Sequence, residues 1–237
     1  MKLPAWTVLS ASEIGRIHAA SVDILAQSGV KVLIPRILAL LKAKGLPTDA
    51  ATQTARFPRA VLDEALARIP PRIEVFDREG QPAFVLGDGV PKIAAGHNAV
   101  FWLDSETGAT RPSRIADVER FARLCEQSPQ IDMIGIPAMP QDAAIPRATL
   151  LYAVAATARN SRKPIFFSTD NARVNRGCIE LLRAAFGGDV DRQVYGISQL
   201  SPTSPLYWEA NVCEAILDTL ETNVPLAILP EPNAGVS

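Results

Sequence analysis

The stretch IDMIGIPAMP, residues 131–140, decides the fold, because it is the first of four apolar runs that each lead into a polar loop. The later runs are PIFFSTD at 164–170, VYGISQLSPTSP at 194–205 and PLAILPEPNAGVS at 225–237. An amphipathic helix is predicted after each of the first three runs. Strands that alternate with helices predict a parallel sheet with right-handed crossovers. The last run has no helix after it, which predicts that the domain continues beyond Ser237.

The chain before these units has a different pattern. Helical spacing of apolar residues predicts three helices over residues 10–70, the first opened by a capping box of Ser10 and Glu13. Short apolar runs between glycine turns predict an antiparallel β section over residues 72–103. We therefore predict two parts, a helical and β N-terminal section over residues 1–112 and the βα units over residues 113–237.

Composition excludes several classes of protein. The chain has 237 residues, 48% apolar and 21% charged, with a net charge of -1, which is typical of a globular protein that buries a sizeable core. The sequence has no basic stripe, so nucleic-acid binding is not predicted. No apolar run is long enough for a membrane span, and the N-terminus lacks the pattern of a signal peptide, so a cytoplasmic location is predicted. Three scattered cysteines predict buried thiols, and two histidines without ligand spacing predict no metal site.

The βα units by themselves fit either an open sheet or a barrel. The sequence has no GxGxxG after a strand and no GxxxxGK[ST], so a nucleotide-binding open sheet lacks its usual motifs. Four units, or five with the preceding β section, amount to about half of an eight-unit barrel.

Four segments carry a resemblance to a known family. They are EIGRIHAASVDILAQSGVKV at 13–32, FPRAVLDEALARIPPRIEVFDREG at 57–80, FWLDSETGATRPSRIADVERFARLCEQSPQIDMIGIP at 101–137, and SPTSPL at 201–206 with the final run. In this order and spacing the chain resembles the N-terminal half of the trimethylamine methyltransferase family, whose members are cobalamin-dependent enzymes acting on methylated amines and betaines.

The resemblance implies an α/β fold of the (β/α)8 TIM-barrel type, here an incomplete barrel behind the N-terminal section. It implies transfer of a methyl group from a tertiary or quaternary amine, such as trimethylamine or glycine betaine, to the Co(I) of a corrinoid protein. The corrinoid, a cobalamin, is then supplied by that partner, and the chain itself binds no cofactor directly. The implied metabolic context is methanogenesis or one-carbon metabolism. The resemblance gives no catalytic residue, and association with further copies of the chain is left open. Since half of the barrel is absent, the 237-residue chain alone is predicted to be inactive.

Residues at the ends of the strands, and in the loops behind them, are the candidates for binding a methylated amine. A quaternary ammonium has no N–H to donate, so aromatic faces and carboxylates are the groups that hold it. The candidates are Glu231, His97, Phe166, Phe167, Gln199, Thr203 and Asn233.

Each candidate also has a structural interpretation, which the sequence leaves open. Glu231 is the preferred partner for a cation, but the sequence also fits a loop carboxylate that is simply exposed to solvent. Phe166 and Phe167 alternate on a strand, so one is predicted to face the barrel interior and the other the helices. His97 could bond a substrate carboxylate or be a turn histidine. Asp170 fits a helix N-cap, and Ser204 before Pro205 predicts the start of a helix that runs to about residue 221.

Two other functions remain as alternatives. The first is a truncated, non-catalytic relative that acts as an interaction or complementing fragment, because half a barrel leaves sheet edges and an apolar helix face uncovered. The second is a different TIM-barrel enzyme, such as a lyase or aldolase, which needs a lysine at the end of a strand or a carboxylate–metal cluster. Lys163 precedes Pro164 at the start of a predicted strand, the wrong end for catalysis.

Overall fold

The computed structural model of the protein describes residues 7–169 and 171–229. The helices are α1 Ala11–Gln27, α2 Pro35–Ala43, α3 Arg59–Arg68, α4 Ile115–Gln127, α5 Thr149–Asn160, α6 Ala172–Ala185 and α7 Ala210–Leu220, with a 3-10 turn at Pro146–Ala148. The strands are β1 Val30–Val32, β2 Thr48–Asp49, β3 Thr54–Ala55, β4 Ile73–Phe76, β5 Pro82–Leu86, β6 Ala94–Ala95, β7 Phe101–Leu103, β8 Thr110–Pro112, β9 Met133–Gly135, β10 Ile165–Ser168, β11 Ile197–Leu200, β12 Tyr207–Trp208 and β13 Leu226–Ile228.

The described residues form two compact units, one of residues 7–69 with 203–210 and one of residues 70–202 with 211–229. The division near residue 112 that the sequence predicts stays a prediction for the whole protein. Among the described residues, no helix is long and apolar enough to cross a lipid bilayer.

The first unit contains α1 to α3 and a small sheet. α1 begins at the predicted capping box, in which the Glu13 N–H donates to the Ser10 hydroxyl at 3.3 Å and the Ser10 N–H donates to the Glu13 carboxylate at 2.7 Å. The sheet has the order β12-β1-β3-β2, with β1 parallel to β12 and antiparallel to β3. Val30, Val32 and Ala55 are buried in this unit, so its core lies along β1.

A five-stranded sheet with the order β13-β11-β10-β9-β6 forms the centre of the second unit. All of its pairings are parallel. Each strand lies beside the strand that precedes it in this sheet, so the order in space follows the order in the chain. All the loops that follow these strands consequently emerge at one edge, the carboxyl edge of the sheet.

Helices α4 to α7 cover one face of this sheet. α4 packs on α5 and α5 packs on α6. Phe167 and Ile136 are almost fully buried in the core against α5 and α6, and Leu200 packs against Val212 and Ala215 of α7. Since side chains alternate along a strand, Phe166, Ser168 and Gln199 lie on the opposite face.

Two of the predicted elements differ from the structure. The residues 72–103 are antiparallel only in part, because β4–β5 is an antiparallel hairpin whereas β6 pairs in parallel with β9. α7 begins at Ala210 instead of near Ser204, because Tyr207 and Trp208 form β12 and pair with β1. That pairing joins residues far apart in the chain, and local capping signals do not contain it.

Candidate functional site

An open cavity of about 580 Å³ lies at the carboxyl edge of the parallel sheet. Its wall comes from the loops after β6, β9, β10 and β11 and from the first turns of α5 and α6. The lining residues are His97, Asn98, Met139, Pro146, Arg147, Thr149, Leu150, Ser168, Thr169, Asn171, Val174 and Ser201. This edge is where parallel α/β sheets generally bind ligands.

The loop after β6 lies in the cavity wall because it continues the pairing with β9 in an irregular form. Gly96 has a φ of +82°, and a Cβ built there would stand 2.6 Å from the Cα of Pro137. The Asn98 N–H donates to the Ile136 carbonyl at 2.6 Å, and the Ala99 N–H donates to the Pro137 carbonyl at 3.1 Å. Glycine and this pairing together fix the direction in which the next two side chains project.

The Asn98 side chain joins two strand ends and leaves one atom without a partner. Its backbone φ is +48°, a left-handed conformation that asparagine adopts more readily than most residues. The Nδ2 group donates to the Ser168 carbonyl at 3.3 Å, across β9. The Oδ1 atom is buried and has no hydrogen-bond partner among the described residues. Buried polar atoms without a partner are rare, and a bound ligand is one way to satisfy them.

Three of the residues predicted from the sequence lie together at this edge. The rings of His97 and Phe166 have centroids 6.1 Å apart and are tilted by 37°. The buried Gln199 side chain approaches Ser168, with Nε2 3.5 Å from Oγ. His97, Phe166 and Gln199 therefore surround the ends of β6, β10 and β11, although only His97 is in the cavity wall itself.

The remaining predicted residues lie elsewhere or outside the described ranges. Phe167 is fully buried between the sheet and the helices, so the alternation places Phe166 on the side of the cavity. Thr203 belongs to the first unit, where its hydroxyl donates to the Glu209 carboxylate. Glu231, Asn233 and Asp170 lie outside the residues that the structure describes.

The loop after β9 is held by the start of α4. The Ser113 hydroxyl is buried and donates to the Met139 carbonyl at 2.7 Å, and the Ile115 N–H donates to the Asp142 carboxylate at 2.9 Å. At the same helix end, Arg111 donates two hydrogen bonds of 2.7 Å to Asp117. These hydrogen bonds hold the pKa of the Asp117 carboxyl below its usual range.

A buried polar group on the other face of the sheet positions β11. The Ser198 hydroxyl donates to Asn175 Oδ1 at 2.8 Å, and Asn175 Nδ2 donates to the Thr219 hydroxyl at 2.9 Å. One amide thus connects α6, β11 and α7, and all three residues are almost fully buried. Gln199, the next residue of β11, is consequently fixed on the side of the cavity.

The charged and nucleophilic groups limit what the cavity can do. Arg147 is a lining residue of the cavity and is exposed. Burial raises the pKa of the Cys178 thiol to about 12, so this thiol stays protonated at neutral pH. Lys163 lies at the opposite edge, where its ammonium donates to the Ser128 and Ile131 carbonyls. Among residues 7–169 and 171–229, no three His, Cys, Asp or Glu side chains are grouped to hold a metal.

Sequence reasoning did not predict the roles of Asn98 and Arg147. Asn98 stands directly after the predicted His97, but its left-handed backbone and its contact with Ser168 depend on strands 70 residues away. Arg147 follows Pro146 in a loop, and the only local signal is a cation just before a helix. Both residues reach the cavity through the strand order, which brings together loops that are distant in the chain.

Comparisons with known proteins place the chain in one family. The family model described as trimethylamine methyltransferase (MTTB) matches residues 1–236. The chain is 22% identical to trimethylamine methyltransferase MttB of Desulfitobacterium hafniense over 231 residues, covering 96% of this chain and 46% of the relative. It is 23% identical to MttB of Methanosarcina thermophila, covering 95% and 48%. It is 21% identical to a glycine betaine methyltransferase of Desulfitobacterium hafniense, covering 98% and 48%. The chain spans about half the length of the curated relatives it matches.

Proposed function

The chain belongs to the trimethylamine methyltransferase family, and from that premise we propose that its protein moves a methyl group from a tertiary or quaternary amine to the Co(I) of a corrinoid protein. The corrinoid belongs to the partner and is a substrate of the reaction. The cavity at the carboxyl edge is the proposed amine site. The observation that carries this assignment is the buried Asn98 Oδ1, which has no hydrogen-bond partner among the described residues and belongs to the residue next to His97 in the cavity wall.

We also propose that the parallel sheet is the first part of a TIM barrel. Its strands follow the order of the chain without reversal, whereas a doubly wound open sheet reverses its order at a switch point. Helices α4, α5 and α6 pack in succession along one face, whereas helices of a doubly wound sheet cover both faces. Both features support a sheet that curves in one direction, and a crystal structure of the whole protein tests the closure of the barrel.

The chemistry asks the protein mainly to hold and aim the amine. Co(I) attacks one methyl carbon, the carbon–nitrogen bond breaks with its electron pair on nitrogen, and the cobalt becomes a methylated Co(III). For a quaternary amine the leaving group is a neutral tertiary amine, so no proton has to be delivered. A tertiary amine reacts in its protonated form, so that a neutral secondary amine leaves. Correct placement of the methyl group is then the main contribution to the rate.

The wall groups that follow β6 suit a positively charged head group without N–H donors. Asn98 lines the cavity, and the partial negative charge of its buried carbonyl oxygen attracts the methyl groups, which carry part of the positive charge. The face of an aromatic ring attracts such a cation within about 6 Å of its centroid. We propose that Asn98 and His97 contact the head group, with Phe166 beside the His97 ring and Gln199 next to Ser168 supporting the strand ends.

The proposal is tested by methyl transfer with the protein that carries this chain. The protein is incubated with a corrinoid protein reduced to Co(I) and with trimethylamine or glycine betaine, and the absorbance change from Co(I) to methyl-Co(III) is followed. The demethylated amine is quantified in the same samples, and stoichiometric formation of both products is expected. A protein that transfers methyl groups from neither amine would contradict the proposal.

A second experiment tests the assignment of Asn98. Replacement of Asn98 by glycine keeps the left-handed backbone accessible but removes the amide. We expect the affinity for the amine to fall severalfold, because the acceptor oxygen and the bond to Ser168 are both lost. Gly108, which also has a positive φ but lies outside the cavity wall, is the matched site, and its replacement by asparagine is expected to leave the affinity unchanged. Equal amine affinity of Asn98→Gly and the wild type contradicts the role of this amide.

A further inference from the structure

One side of helix α1 carries apolar side chains that the described residues leave uncovered. Ile17 and Ile24 are 56% and 49% exposed, whereas Val22 on the opposite side of the helix is buried. An open groove of about 660 Å³ runs along the exposed side. Apolar side chains grouped on the surface in this way are typical of sites that bind another protein. The groove is lined by residues of α1 and of the chain just before it, among them Leu9, Glu13, Arg16, Ile17, Ala20 and Asp23.

The residues on this side of α1 form two flanks with Ala20 between them. Successive residues of an α-helix are turned by about 100°, so residues seven apart lie almost above one another. Ile17 and Ile24 are seven apart and form an apolar flank. Arg16 and Asp23 are also seven apart and form a charged flank on the other side of Ala20. At about 10 Å along the helix axis, these two charges are too distant to pair with each other.

The two flanks make this side of α1 complementary to itself. When two copies of a helix pack antiparallel about a two-fold axis perpendicular to both helices, the same flank of each helix meets. Arg16 and Asp23 are centred half a residue before Ala20, and Ile17 and Ile24 half a residue after it. An axis beside Ala20 therefore brings Arg16 of each copy next to Asp23 of the other. The same axis brings Ile17 next to Ile24, whereas a parallel pair would place the charged flank against the apolar one.

We propose that two copies of this protein associate through α1, which packs antiparallel on α1 of the second copy across a two-fold axis beside Ala20. The small Ala20 side chain lets the helix axes approach to the short end of the usual range, about 8 Å. Burial of Ile17 and Ile24 supplies the affinity. The two Arg16–Asp23 pairs lie at the rim, where ion pairs fix orientation and register more than they add affinity. The groove along α1 and the amine cavity have no lining residue in common, so this inference is independent of the proposed function.

Analytical ultracentrifugation of the protein that carries this chain tests the association. The mass is measured over a wide range of protein concentration for the wild type and for Ile17→Asp, which places a charge in the apolar flank. We expect Ile17→Asp to halve the mass of the assembly and to raise its dissociation constant about tenfold or more, because one buried isoleucine is lost from each copy. The control is Leu40→Asp on α2, where an apolar side chain is also 49% exposed but lies outside the groove. It is expected to leave the mass unchanged.

Charge reversal tests the antiparallel register. Arg16→Glu alone, or Asp23→Arg alone, places like charges opposite each other and is expected to weaken the association severalfold. An equimolar mixture of these two variants is expected to recover it, because each copy then supplies the charge that the other requires at both contacts. The control mixture combines Asp23→Arg with Arg36→Glu, since Arg36 is an exposed arginine of α2 outside the groove. No recovery is expected from the control mixture.

Three outcomes overturn the inference. A protein that is monomeric at every concentration shows that α1 is free or is covered by another segment or a different protein. An assembly whose mass is unchanged by Ile17→Asp is held by another surface. Association that Ile17→Asp abolishes, but that the mixture of Arg16→Glu and Asp23→Arg does not recover, rules out the antiparallel arrangement. None of these measurements involves methyl transfer, so the proposed function is tested separately.

Discussion

Replacement of the buried Asn175 by leucine tests whether the amide behind the cavity organises the sheet. Asn175 accepts from the Ser198 hydroxyl at 2.8 Å and donates to the Thr219 hydroxyl at 2.9 Å and to the Ala215 carbonyl at 3.3 Å. Leucine has the same number and branching of side-chain heavy atoms and is somewhat larger, so the change removes hydrogen bonds without leaving a cavity. The effect on stability then reports mainly on the polar contacts.

The expected magnitude follows from the partners that stay behind. The Thr219 hydroxyl also donates to the Ala215 carbonyl at 2.7 Å, so it keeps a partner when the amide is removed. The Ser198 hydroxyl loses its acceptor and remains buried. Three lost bonds at about 1 kcal/mol each, with one hydroxyl left unsatisfied, predict a loss of about 3 kcal/mol for Asn175→Leu. Ser198→Ala leaves only the amide oxygen unsatisfied and is expected to cost about 1–2 kcal/mol.

A double-mutant cycle gives the decisive value. In the Asn175→Leu, Ser198→Ala double variant both partners are apolar, so we expect it to be at least about 1 kcal/mol more stable than the sum of the single changes. Urea unfolding measures the midpoint of each variant at a constant m-value. The control pairs Ser198→Ala with Asn171→Ala, which removes an exposed N-cap of α6, and these two effects are expected to add. Additivity of Asn175→Leu and Ser198→Ala within about 0.5 kcal/mol refutes the reasoning.

Three further predictions use the same chain. Gly96→Ala is expected to lower amine affinity by displacing the loop after β6, with far-UV circular dichroism retained. Gly108 also has a positive φ but no neighbour within 4 Å of a built Cβ, so Gly108→Ala is expected to leave the affinity unchanged. The hydrogen bonds from Arg111 lower the pKa of Asp117, so the folded state binds fewer protons there. This contribution to stability is present above about pH 4 and is lost as the pH falls through the lowered pKa. Arg111→Gln is expected to reduce the change of the urea midpoint with pH over that range. The Cys178 thiol, whose pKa is raised to about 12 by burial, is expected to react with a thiol reagent at pH 8 only after unfolding; labelling at the rate of a free thiol contradicts its burial.

Local patterns were sufficient for most of the secondary structure. The capping box at Ser10 and the proline at residue 35 mark helix starts in the structure as they do in the sequence. The periodicity of apolar residues also separates the parallel strands from the helices that follow them. These signals act within a few residues of each other, and tertiary contacts reinforce them.

The two errors in the fold have a common physical origin. β6 has only Ala94 and Ala95, and two small residues contain no information about the direction of their partner strand. Tyr207 and Trp208 form a strand because β1, about 175 residues earlier, offers a parallel edge. Pairing between distant segments decided both cases, and no local propensity encodes such pairing.

The candidate site was predictable where strand alternation applies. Gln199 of β11 pairs with Ser168 of β10, and Phe166 is two residues before Ser168. Because side chains alternate along a strand, Phe166 and Gln199 lie on the same face of the sheet. Thr203 comes four residues after Gln199, but it lies in the loop before β12 and belongs to the first unit. Asn98 acquires its conformation from the Gly96 loop and the end of β9, so its unpartnered oxygen cannot be inferred from the sequence.

The two faces of β11 show how stability and binding can be changed independently. Ser198 points towards α6 and α7 and takes part in the buried hydrogen bonds, whereas the next residue, Gln199, points towards Ser168 on the side of the cavity. A substitution at Asn175 therefore acts on stability first and reaches the site only through a shift of the strand. A substitution at Asn98, which lies in the cavity wall, is expected to act on the ligand first. If Asn175→Leu lowers stability but keeps the amine affinity, the affinity is determined by the wall groups themselves. If the amine affinity falls as well, the position of the strand contributes to it.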